Sequence, residues 1–135
     1  MLIRNEKMQM VPIRAYVDEL LVEGLGEGEV TEQDAQDALA ELYLQNNRYQ
    51  LEAFFEGNGK EAFMAVNLNK GSLWEELKRI FCSIVQEGSV FDKIIEFILE
   101  AIAAIIPFGV FIKGLVKRII KFFLQRGIEW ICPAN

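Results

Sequence analysis

The chain has 135 residues, 52% of them apolar, with 14 basic and 20 acidic side chains for a net charge of −6, and no histidine. That length fits one domain, or one domain with a helical appendage, and the missing histidine excludes imidazole acid–base catalysis, Ser–His and Cys–His nucleophile pairs, and the commonest metal ligand. The negative balance works against phosphate, so nucleic acid is disfavoured as a partner.

The charge is unevenly spread. Residues 1–70 hold 13 acids and 6 bases (−7), whereas residues 71–135 hold 7 acids and 8 bases (+1). With Asn69-Lys-Gly71 as the boundary, the expectation is an acidic subdomain over 1–70 and an apolar, locally basic helical subdomain over 71–135, which can pack as one domain. Met1-Leu-Ile-Arg-Asn-Glu-Lys lacks the apolar core of a signal peptide, so the expected location is cytoplasmic or peripheral to a membrane. Cys82 and Cys132 lack a CxxC spacing and stand beside Phe81 and Ile131. Buried free thiols are the preferred reading, with a bridge between them as the alternative.

In chain order, the first helix is expected from Pro12, suited to a first helical turn, to Glu23, with Val17, Leu20 and Leu21 on its apolar side. Gly24-Leu-Gly-Glu-Gly28 ends it. That segment lacks phosphate-loop spacing, and Glu27 and Glu29 would repel phosphate, so it reads as a linker. Thr31-Glu-Gln-Asp34, Ser72-Leu-Trp-Glu75 and Ser89-Val-Phe-Asp92 each have the S/T-x-x-[D/E] form of a capping box. They predict helices over 32–46, 73–87 and 90–106. Asp34, Asp37 and Glu41 share a face of the first of these, and read as a solvated face rather than a cation site.

Between them, Arg48, Gln50, Glu52 and Glu56 alternate with Tyr49, Leu51, Ala53 and Phe55, and Asn58-Gly59 is the dipeptide of a tight hairpin turn. A two-residue turn there pairs Phe55 with Ala62, Leu51 with Val66 and Tyr49 with Leu68, apolar against apolar. A β-hairpin over 48–69 is therefore expected, with Lys7–Val11 as a possible third strand. One long helix through Asn46-Asn47 to Glu56 is the competing reading. The final helix is expected over 108–131, with weak points at Gly114 and Gly127.

The fold class expected is α+β and predominantly helical: N-terminal helices plus one β-hairpin, then a three-helix C-terminal part with a helical hairpin turning at Pro107. In that hairpin Asp92, Glu96 and Glu100 come level with Lys121, Lys117 and Lys113. The two charge rows either face each other, leaving wide apolar faces outward, or face water as neighbouring rows; the second arrangement is favoured. Only 12 uncharged residues, Ala101–Ile112, run together, where a membrane-spanning helix needs about 20. Residues 110–126 are nonetheless basic and amphipathic, a pattern that lies on anionic lipid or docks in a partner's groove.

No catalytic constellation, cofactor motif or metal site emerges. Glu75 and Glu76 are accounted for by a cap and by the helix dipole. The functional expectation is a non-enzymatic interaction or assembly module that uses its apolar C-terminal helical hairpin to self-associate or hold a protein partner. The alternative is a membrane-active protein, such as a small pore-former, toxin or peripheral anchor. Candidate contact residues for either are Lys113, Lys117, Arg118, Lys121, Phe111, Phe122, Phe123 and Trp130.

Overall fold

The computed structural model describes residues 1–54 and 70–133, and the side chains of 48–54 fall outside that description. Among the described residues the fold is mostly helical, with one two-stranded antiparallel hairpin. Strands β1 (Leu2–Arg4) and β2 (Met10–Pro12) pair Leu2 with Pro12, Ile3 with Val11 and Arg4 with Met10. Asn5 closes the turn between them, its carboxamide oxygen accepting the backbone N–H groups of Lys7 and Gln9 at 3.0 and 2.9 Å. Helices follow at α1 (Ile13–Glu23), α2 (Glu32–Phe54), α3 (Lys70–Ile84), α4 (Phe91–Ile105), α5 (Lys113–Arg126) and α6 (Ile128–Ile131).

The fold class is the one expected, but the hairpin is elsewhere. Residues 48–54, read as the first strand of a hairpin, continue α2 instead. The competing long-helix reading holds as far as Phe54; the Asn58-Gly59 turn and the second strand fall on residues outside the description. The local alternation of 48–54 was outweighed by helix propagation, since each residue added to an existing helix gains a backbone bond without a new nucleation cost.

The capping boxes fared unequally. Thr31 and Asp34 form theirs reciprocally: the Thr31 hydroxyl accepts the Asp34 N–H at 3.1 Å and the Asp34 carboxylate accepts the Thr31 N–H at 3.2 Å. Ser72 lies inside α3, which starts two residues earlier, and Ser89 turns its hydroxyl to the carbonyl of Gln86. The last expected helix starts at Lys113 rather than at 108, and it is cut in two at Gly127, whose φ of +85° suits glycine and stops α5.

One apolar core draws on every helix. Tyr16, Val17 and Leu20 come from α1, and Ala35, Ala38, Leu39 and Leu42 from α2. Trp74, Leu77 and Phe81 enter from α3, Ile95, Ile98, Leu99 and Ile102 from α4, and Val116, Ile119, Phe122 and Phe123 from α5. Each set recurs at three or four residues, the spacing that places side chains on one helical face. The alanines of α2 allow close approach, and α5 makes its most extensive contact there. Helix α4 instead packs mainly on α3 and α1. The two C-terminal helices therefore do not clasp each other as an isolated hairpin; each spends its apolar face on the shared core.

That packing also joins the cysteines. The break at Gly127 turns α6 back towards α3, and Cys82 and Cys132 are bonded as a disulfide with their Cα atoms 5.5 Å apart, within the span such a bond requires. The free-thiol expectation is thus corrected.

Candidate interaction surface

The connection between α4 and α5 is held by side chains far away in sequence. The Asn46 carboxamide of α2 meets the backbone of Val110 from both sides: its nitrogen donates to the Val110 carbonyl at 3.0 Å and its oxygen accepts the Val110 N–H at 2.6 Å. The same nitrogen also reaches the Leu42 carbonyl at 3.0 Å. One residue on, the Phe111 N–H donates to the Arg4 carbonyl at 2.8 Å, docking the connection against the outer edge of β1. The Tyr16 hydroxyl donates to the Phe111 carbonyl at 3.1 Å, and burial pushes that phenol above its ordinary pKa. Gly109 fits here because a Cβ would stand 2.2 Å from the Ile106 side chain and 3.1 Å from Asn46.

Between these fixed points stands Phe108. Its φ is +61°, a region that costs an L-residue about 1–2 kcal/mol. Its ring is in water, with 89% of the residue exposed, so it forgoes the roughly 1.5–3 kcal/mol that burial of such a side chain gives. Ile106, two residues earlier, is buried. A groove of about 430 Å³ opens beside Phe108, walled by Met1, Leu2, Met10 and Ile106 and floored in part by Phe111. Arg4 carries the one charged side chain in its lining, and the Arg4 Nε is buried with no hydrogen-bond partner.

The lysine row expected to come level with the acids of α4 is engaged elsewhere. Lys113 Nζ lies 2.6 Å from Glu19 and 2.5 Å from Glu23, and Lys117 Nζ lies 2.9 Å from Glu23. Lys121 donates to the Glu27 carbonyl at 2.9 Å, and Gln125 accepts the Val30 N–H at 3.1 Å. One stripe of α5 thus holds the end of α1 and the glycine-containing loop. Lys113 sits in the first turn of α5, where a cation opposes the helix dipole. Glu19 and Glu23 offset that, and the Glu6 carboxylate accepts the Lys113 backbone N–H.

The acids of α4 also turn to α1. Asp92 lies 2.6 Å from Arg14, and the buried Glu96 lies 3.9 Å from Arg14 and 3.2 Å from Lys93. Glu100 has no ion-pair partner among the described residues. The cross-hairpin pairing of Asp92, Glu96 and Glu100 with Lys121, Lys117 and Lys113 is therefore corrected. Helix α1 serves both rows, with its Arg14 end on α4 and its Glu19–Glu23 end on α5.

The remaining contact candidates separate by burial. Phe111, Phe122 and Phe123 are core residues. Trp74 packs edge-on against Phe122 and Phe123, each at 5.6 Å, and donates its indole N–H to Glu32 at 2.9 Å. Trp130 is half-exposed, stacked under Arg126 at 5.1 Å. Arg118 is exposed and has no ion-pair partner among the described residues. It borders a second cleft of about 620 Å³, where Glu27, Glu29, Asp34 and Asp37 face Lys117 and Lys121; opposite signs there leave no clear preference for a charged ligand. Asp37 is itself paired with Lys70 at 2.9 Å.

The chain matches no protein-family model, no curated protein and no solved structure. Its surface geometry is therefore the guide to function.

Sequence reasoning passed over Phe108 because a single aromatic beside a proline, at the end of an apolar run, reads as core. A residue-level signal was nonetheless present. Pro107 and Gly109 flank it, and glycine and proline are the strongest local breakers of regular structure.

Proposed function

We propose that the protein is a non-enzymatic interaction module whose contact surface is the groove between β1 and the α4–α5 connection, with Phe108 as its anchor. The observation that carries this reading is Phe108 itself. It is a large apolar residue in a left-handed conformation, exposed, and held from both sides by Ile106 packing and the Asn46–Val110 bonds. Anchors at protein interfaces are characteristically rigid aromatics beside a pocket. The apolar faces of α4 and α5, on which the sequence placed the contact, are consumed by the protein's own core.

The membrane-active alternative draws less support. No described helix is long and apolar enough to cross a membrane, and Lys113 and Lys117 are already paired with Glu19 and Glu23. The proposal extends to location: a Cys82–Cys132 bond suits an oxidising compartment better than the cytoplasm read from the sequence.

Photo-crosslinking tests the reading. A benzophenone amino acid replacing Phe108 should give a discrete partner adduct in the native cell. The same replacement at Val22, equally exposed at 89% but outside the groove, should not. An adduct at Val22 with none at Phe108 would contradict it.

A further inference from the structure

Resting on that reading, we infer that the occupant of the groove is an apolar peptide segment bearing a carboxylate, which Arg4 reads. Charge is the first argument. Arg4 carries the one charged side chain lining the groove, no acid lines it, and Arg4 makes no ion pair among the described residues. Carboxylates are the acceptors that guanidinium groups bind most strongly, often through two parallel bonds.

Size and shape give the second. The exposed apolar rim comprises Met1, Leu2, Met10 and Phe108, a surface that a polypeptide covers and a short aliphatic acid lying in the groove would leave partly wet.

A random decapeptide display library selected on the purified full chain tests this. The expected result is enrichment of sequences combining apolar residues with Asp or Glu. For a synthetic peptide of the enriched sequence, changing its acid to the amide should weaken binding about 10- to 100-fold, and Arg4→Met should weaken the acidic peptide equally while leaving the amide peptide unchanged. Because the peptide change leaves the protein untouched, a misfolded Arg4→Met cannot obscure the outcome. Enriched peptides that need Phe108 but carry no acid, or that ignore the acid-to-amide change, would overturn this inference and leave the interaction surface standing. No enrichment, enrichment indifferent to Phe108→Ser, or groove occupancy by a second copy in sedimentation would overturn it together with the choice of partner.

Discussion

At the scale of single residues, Asn46 and Phe108 have opposite relations to the fold. Asn46 is an amide in the middle of a helix, a position where such residues are unfavourable, and it is explained by the two bonds it makes to Val110. Asn46→Ala strands a part-buried N–H and C=O, and an unmade bond of this kind costs about 1–3 kcal/mol. Chemical denaturation should show a loss of that size, and a change below about 0.5 kcal/mol would mean the connection is held by other contacts. Neither residue's role was legible beforehand. Asn46 reads as a helix-end or turn residue by composition, and its partner lies 64 positions away.

Among elements, α1 is the hub. Arg14 meets the acids of α4, and Glu19 and Glu23 meet the lysines of α5. The Glu23 carboxyl is held below its ordinary value of 4.5, first by the hydrogen bond from Lys113 and then by that from Lys117. Asp92 is lowered by Arg14, and Asp37 by Lys70. Lys113 is raised above 10.5, by Glu19 and then Glu23.

Lowered carboxyls contribute stability that is present above their unfolded pKa and lost as pH falls through the folded one. The raised lysine contributes stability that is present below 10.5 and lost as pH rises through its folded value. Thermal melts should therefore be level between about pH 5 and 9 and fall at both ends. Lys113→Met with Lys117→Met should flatten part of the acid limb. An acid limb identical in that double variant would show that the pairs contribute nothing measurable, as exposed pairs sometimes do.

Much at this scale was readable. Apolar spacing and turn signals placed α1 and α4 to within a residue or two, whereas Gly127, read only as a weak point within one helix, ends α5. The failed charge pairing has a physical cause. The lysine and glutamate rows were paired by position along the chain, whereas the partners are set by which helices share the core. That choice depends on the alanines of α2 accepting α5, a property of packing rather than of charge pattern.

Taken as a whole molecule, the described residues bury the most apolar helix faces and leave an apolar rim of Met1, Leu2, Met10 and Phe108 open. The Cys82–Cys132 bond closes a loop of 50 residues that includes α4 and α5, and chain-entropy arguments put the stabilisation from such a loop at about 4 kcal/mol. Reduction should lower the denaturation midpoint accordingly, without altering the elements that precede α3. An unchanged midpoint in reductant would mean that the bond forms little of the time. The acidic and basic halves share a single core, so the charge asymmetry of the sequence is expressed as contact between α1 and α5.

Phe108 is the point where fold and contact conflict. If its conformation serves binding, then Phe108→Gly relieves a left-handed strain of about 1–2 kcal/mol and concedes about 0.5–1 kcal/mol of unfolded-chain entropy. The most direct measurement is the unfolding free energy of Phe108→Gly against the unaltered chain. Equal or greater stability, by up to about 1 kcal/mol, is the result predicted for a residue presented to a partner. A loss of about 2 kcal/mol or more would show that Phe108 is packed within the fold and would contradict its role as the anchor.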